Sequence, residues 1–183
     1  SLVGSDMCIR DSHEVKTQLI GEYNFANALA AVTIGHFFDV ESGKIDTALK
    51  EYTPQNNRSQ LKQTADNTLI IDAYNANPTS MQASISNFHN MEIDNKMLIL
   101  GDMRELGKDG PKEHQKIVDF LTECGFKDVM LVGEQFAAAR HDFPTYPDAP
   151  AVIEALQKNK PHGKTILIKG SNGIKLSTVI DYL

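Results

Sequence analysis

The 183-residue sequence contains no apolar run approaching the roughly 20 residues of a helical membrane span. Its longest candidates, Thr68–Ile71 and Met97–Leu100, are strand-sized, so no membrane span is expected. Positive charge is not in excess either. Eighteen Lys and Arg stand against 24 Asp and Glu, a formal charge of −6. Split at Asn57, the chain has 4 basic and 8 acidic residues before it and 14 and 16 from there on, so neither part is a basic footprint for nucleic acid. The two cysteines, Cys8 and Cys124, lie 116 residues apart, and the six scattered histidines form no His-x-x-x-His pair. Metal-ligand spacing is absent, and reduced thiols are expected. The first eleven residues carry one Arg and two Asp and lack the apolar core of a signal peptide, which makes the cytoplasm the default location. A phosphate-binding P-loop is missing too. Gly163-Lys164-Thr165 spells its end, but Lys158 stands where the first glycine is required, and Thr165 opens a strand rather than a helix.

What is present punctuates itself. Asn24 to Phe38 is Ala-rich, with Phe25, Leu29 and Val32 at helical spacing, and predicts a helix packed on that face; Ile45 to Tyr52 predicts a shorter one. The polar stretch Thr53 to Gln60 reads as a connection between two units. Beyond it, strand-like runs (Thr68–Ala73, Met97–Asp102, Asp128–Gly133, Thr165–Gly170) alternate with helical patterns (Pro78–Phe88, Pro111–Cys124, Ile174–Leu183). Gly125 sits where a left-handed C-terminal cap belongs. Alternation of this kind specifies parallel strands joined by right-handed crossovers, hence an α/β, doubly wound, mostly parallel sheet of Rossmann-like type over about 125 residues.

Ligands of such sheets bind beyond the carboxyl ends of the strands. That rule selects DAYNANP, GDMRELG, GEQF and KGSNG. Asn77 before Pro78 reads as a helix N-cap. Asp72 ends a buried strand and needs a hydrogen-bonding partner, for which a ribose diol and the backbone amides of the following turn weigh about equally. Asp102 and Glu105 form a second constellation, while Arg104 and Lys108 read by default as solvated rim charges. Lys169 and Ser171, between glycines, form either an anion-binding loop at the start of the last helix or a flexible turn.

The segments GEYNFANALAA, NNRSQ, IIDAYNANPTSM, LILGDMRELG with a following EH, and LIKGSNGIKL stand in the order and approximate spacing of the Mur ligase family, which the sequence resembles from about Val15 to Leu183. The resemblance is to the branch that joins D-Ala-D-Ala to UDP-MurNAc-tripeptide, since YNANP and the GDM-ELG pattern are specific to it. It implies a bacterial, cytoplasmic, ATP-dependent acid–amino-acid ligase of peptidoglycan synthesis, with ATP and Mg2+ as cofactors, small-molecule substrates (UDP-MurNAc-tripeptide, D-Ala-D-Ala, ATP) and a monomeric state. Residues 15–54 would be the tail of a central ATP-binding domain and 55–183 the C-terminal Rossmann-like domain. Residues 1–14 fit no part of the pattern and read as a non-native or disordered leader. The P-loop and magnesium ligands would lie upstream, so the chain alone is expected to be inactive.

By the same resemblance, Asn24 and Asn27 read the adenine, Arg58 reaches the ATP phosphates, and Asp72 takes the ribose hydroxyls. Relatives often carry His where Tyr23 stands. Tyr74, Asn75 and Asn77 face the substrates, Asp102 and Glu105 wall the site of the incoming dipeptide's ammonium, and Lys169 and Ser171 lie near the substrate's peptide. The pattern usually continues with Arg where this chain has Asn172, which removes a fixed positive charge. The alternatives are another amide ligase of similar build, of folylpolyglutamate or cyanophycin type, and a non-catalytic nucleotide-binding module.

Overall fold

A computed structural model describes residues 6–9, 13–20, 24–54 and 59–183. The chain divides into two compact units, meeting between residues 55 and 56.

In the first unit, β1 (Asp6–Ile9) pairs antiparallel with β2 (His13–Lys16), in a register that sets Met7 opposite Val15. Asp6–Ile9, within the stretch read as a non-native or disordered leader, is thus paired along its backbone. Two helices follow, α1 (Phe25–Phe37) and α2 (Ser42–Glu51). Val15, Ala28, Val32, Ile45 and Leu49 form their core. The buried face of α1 is thus Ala28 and Val32 rather than Phe25, Leu29 and Val32. Phe25 and Leu29 are nearly half exposed. Small residues allow the helices to approach closely: a Cβ added at Gly35 would lie 2.8 Å from Ile45 Cδ1.

The second unit is a six-stranded sheet of order β3-β4-β8-β5-β6-β7. Its strands are β3 (Gln60–Gln63), β4 (Thr68–Asp72), β5 (Lys96–Gly101), β6 (Val129–Val132), β7 (Thr145–Tyr146) and β8 (Thr165–Lys169). Only β3 runs antiparallel, at one edge. The helices are α3 (Pro78–Asn90), α4 (Gly110–Glu123), α5 (Glu134–Ala138) and α6 (Ala149–Lys158). Connections from β4 through α3 to β5 and through α4 to β6 advance across the sheet, whereas the connection through α6 returns to set β8 between β4 and β5. Reversal of direction sends α6 to the opposite face. There, Val152 and Leu156 join Leu69, Ile71, Ile99, Ile166, Ile168 and the C-terminal Val179 and Leu183 in one core. The alternate residues Ile70, Leu98, Leu100 and Leu167 point to the other face by the two-residue period of a strand. Met81, Ile85 and Phe88 of α3, and Ile117 and Leu121 of α4, are likewise buried. Each such side chain contributes roughly 1.5–3 kcal/mol by leaving water.

Local chemistry terminates the helices as expected. Asn77 Oδ1 accepts from the Ser80 amide at 2.8 Å and Ser80 Oγ accepts from the Asn77 amide, a reciprocal N-cap with Pro78 in the first turn. Gly125, at φ 73°, donates to Thr122 O while Phe126 donates to Leu121 O, which closes α4 with a Schellman motif. The C-terminal segment departs from expectation. It forms 3-10 turns at Asn172–Ile174 and Leu176–Tyr182 rather than an α-helix, separated by Lys175 in the left-handed region at φ 59°.

Candidate functional site

The carboxyl ends of β4, β8 and β5 are neighbours whose following segments leave to opposite faces, the arrangement that opens a crevice in a doubly wound sheet. Asp72 and Lys169 are register partners on β4 and β8, so both side chains leave the same face. Lys169 Nζ donates to Asp72 Oδ2 at 2.5 Å, and Ser84 of α3 donates to the same oxygen at 3.4 Å. Lys169 is 1% exposed. An ammonium so buried needs its counter-charge. This settles what Asp72 touches within the chain: neither the turn amides nor a solvent-facing group, but a lysine 97 residues away in sequence. Lys169 correspondingly does not offer its ammonium at the surface, which corrects its reading as a presented cation.

After β5, Asp102 turns its carboxylate onto the start of α5. Oδ2 accepts from the Gln135 amide at 2.9 Å and Oδ1 from the Phe136 amide at 3.0 Å, satisfying amides that a helix start leaves open. Gly133 makes this possible. A Cβ there would lie 2.3 Å from the Asp102 carboxylate, and its φ of 120° already excludes most side chains. Both carboxylate oxygens of Asp102 thus hold the start of α5, which commits Asp102 to shaping the loop after β5.

His114, fully buried, holds the same loop from beneath. Its Nε2 accepts from the Met103 amide at 3.0 Å, so its proton is on Nδ1, which donates to Gly110 O at 2.7 Å. The 3.6 Å approach of Nε2 to Asp102 is therefore contact between a lone pair and a carboxylate, not an ion pair. Phe136 packs edge-on against the ring. Across the crevice the Ser171 amide donates to Asp102 O and Ser171 Oγ accepts from the Arg104 amide at 2.8 Å, which ties the loop after β8 to the loop after β5. Ser171 is buried, and the three-residue segment after it is a 3-10 turn rather than the start of an α-helix.

These loops enclose a cavity of about 400 Å³ lined by Asp102 to Gly107, Gly110, Gly133 to Gln135, Pro147 and Ile174. Arg104, Glu105 and Glu134 give it both signs of charge. Glu105 takes a left-handed backbone at φ 71°, a strained turn for a residue with a side chain.

The remaining expected residues lie elsewhere. Tyr74 is half exposed, and Asn75 Oδ1 accepts from the Ala76 amide at 2.9 Å, both in the turn that leads from β4 to Asn77. In the first unit, Asn24 donates to Ile20 O at 2.7 Å and Asn27 donates to Asn24 Oδ1 at 3.2 Å, so the two amides are linked as their spacing allows. Arg58 and Tyr23 lie outside the described residues. Among the described residues, no group of three or more His, Cys, Asp or Glu could hold a metal ion. No described helix is long and apolar enough to cross a membrane. Sequence reasoning read Arg104 as a rim charge and assigned no role to His114 or Gln135. The Glu113-His114 pair and the GEQF segment were their only signals.

Comparison with known proteins identifies the family. A ligase named UDP-N-acetylmuramoyl-tripeptide--D-alanyl-D-alanine ligase from Bacillus subtilis is 31% identical over 173 residues, 88% of this chain and 38% of its own. A ligase of the same name from Synechocystis is 26% identical over 99% of this chain and 41% of its own, an alignment that runs through the N-terminal dozen residues set apart above. A crystal structure of MurF from Acinetobacter baumannii superposes with a TM-score of 0.81 at 28% identity, over 93% of this chain and 39% of that one. The chain thus spans about two fifths of the length of these relatives. The domain model described as "Mur ligase, glutamate ligase domain" matches residues 57–172, which takes in every cavity-lining residue but Ile174, and the chain belongs to the Mur ligase family.

Proposed function

We propose that the chain forms the closing portion of an ATP-dependent amide ligase that joins D-Ala-D-Ala to UDP-MurNAc-tripeptide. The observation that carries this reading is the cavity after β5 and β6, which offers both signs of charge at the binding edge of the sheet and is walled by the GDMRELG loop. A dipeptide at neutral pH is a zwitterion, and this lining matches it. In the reaction, ATP phosphorylates the terminal carboxylate of the tripeptide, the dipeptide amine attacks the acyl phosphate, the amide forms and phosphate leaves.

Within that reaction, the cavity seats the dipeptide, with Glu105 toward its ammonium and Asp102 and His114 keeping the wall in shape. Preorganisation of this kind spares reorientation when the bond forms. Lys169 fixes the Asp72 carboxylate, which receives the ribose hydroxyls already oriented. Asn24 and Asn27 meet the adenine as a linked pair, Arg58 reaches the phosphates, and Tyr74, Asn75 and Asn77 face the tripeptide. Magnesium, when bound, offsets phosphate charge. The sequence holds no P-loop, so the 183 residues alone do not catalyse the reaction.

Calorimetric titration of the chain with Mg-ATP tests the reading. Weak or no binding is expected. Micromolar binding would favour a stand-alone nucleotide-binding module instead. Extending the gene product upstream to include a P-loop should give phosphate release that depends on D-Ala-D-Ala; dependence on glutamate would move the chain to the folylpolyglutamate type.

A further inference from the structure

Arg104 stands at a position where the GDM-ELG pattern specifies no residue, and a rim arginine is ordinarily just solvated. Its surroundings here are particular. The guanidinium lies against the backbone of Gly173, so closely that a Cβ there would fall 2.5 Å from Nη1, 2.8 Å from Cζ and 3.1 Å from Nε. Its own backbone amide is pinned to Ser171 Oγ. The side chain is thus seated across the loop after β8, next to Asn172, while the residue lines the cavity. Among the described residues it is the only cation in that lining, since Lys169 is buried against Asp72. No carboxylate among the described residues pairs with it, although Glu105 follows it directly in sequence.

We propose that Arg104 is a specificity-determining residue that holds the carboxylate of the incoming dipeptide, with Gly173 as the seat that aims its guanidinium. This rests on the proposed function. The chemistry favours a carboxylate, because a planar fork of donors matches two oxygens in a plane, and the acidic Glu105 and Glu134 leave the opposite charge for the ammonium end.

The test is NMR titration of the 183-residue chain with D-Ala-D-Ala, with D-Ala-D-Ala amide and with ADP, following the backbone resonances of Glu105, Gly107, Gly133 and Gln135. The free-acid dipeptide is expected to shift these resonances and to bind about tenfold more tightly than the amide. Arg104→Ala should abolish that preference, and Arg104→Lys should keep part of it. Gly173→Ala leaves the arginine in place but takes its seat, and should weaken the preference to an intermediate level. Arg104 is exposed, so these variants keep the dispersed spectrum of the folded chain. If the dipeptide binds in the cavity with the same preference in Arg104→Ala, the role of Arg104 is overturned while the functional reading stands. If ADP rather than the dipeptide contacts the cavity through Arg104, the carboxylate assignment is overturned. If the dipeptide leaves the cavity resonances of the unaltered chain unmoved, the functional reading falls, and the inference with it.

Discussion

Leu29 of α1 and Leu98 of β5 are the same side chain in opposite circumstances, the first 47% exposed and the second fully buried. The contrast extends to their units. In the second, both faces of the sheet are covered by its own helices and turns, and the central strand β8 is buried at all five residues. In the first, Phe25, Leu29, Ile34, Phe37 and Phe38 of the α1 region are exposed on more than one side, while the core is five residues. A helix apolar all round belongs to an interior, so local sequence pattern and burial agree in one unit and part company in the other. Hydrophobic residues at helical spacing identify a helix in both cases. Only the partners decide which face is inside.

The comparison can be broken by mutation. Leu98→Ala should cost about 4 kcal/mol in denaturant unfolding, through lost transfer energy and the cavity left in a close-packed sheet. Asp72→Ala should cost about 3 kcal/mol, because it strands the Lys169 ammonium. Adding Lys169→Met to it should recover much of that loss, as replacement of a buried pair by apolar groups does. Gly133→Ala should cost about 2 kcal/mol and loosen α5, read as faster amide exchange at Gln135 and Phe136. Leu29→Ala, by contrast, should change stability by no more than about 0.5 kcal/mol; a loss comparable with that of Leu98→Ala would show that α1 is covered in solution.

The smallest effect lies at the far edge of the sheet. Hydrogen bonds from Lys160 and then from His162 hold the Asp66 carboxyl below its ordinary value. With the folded value depressed, the contribution is complete above the ordinary carboxylate range and is lost as pH falls through the folded value. Asp66→Asn should therefore lower stability slightly at neutral pH, leave the acid end unchanged, and so flatten the acid arm of the stability curve.

Much of the second unit was legible because its signals are local. The four buried parallel strands are continuous apolar runs, and Asn77-Pro78 and Gly125 mark helix ends by chemistry confined to a few residues. Edge strands β3 and β7 were missed, being polar or two residues long, and α6 was missed despite Asp148, which caps it by accepting from the Ala151 amide. At the site, the strand-end rule located the loops but not the commitments of their side chains. That Lys169 belongs to Asp72 and Asp102 to α5 follows from cross-strand register and from the fit of a distant glycine, neither of which spacing along the chain encodes.

The position of β8 also bears on how the unit assembles. Of the six strands of its sheet it is the last to be made, and it occupies the slot between β4 and β5, which are made some 60 to 100 residues earlier. Until it arrives, the two share no hydrogen bonds, and the carboxylate of Asp72 waits without its lysine. The sheet therefore cannot close during synthesis by simple growth at an edge. Long-range insertion of this kind is slow and exposes unpaired strands meanwhile. A chain stalled before Thr165 would present two separate pieces of sheet with a gap of one strand between them.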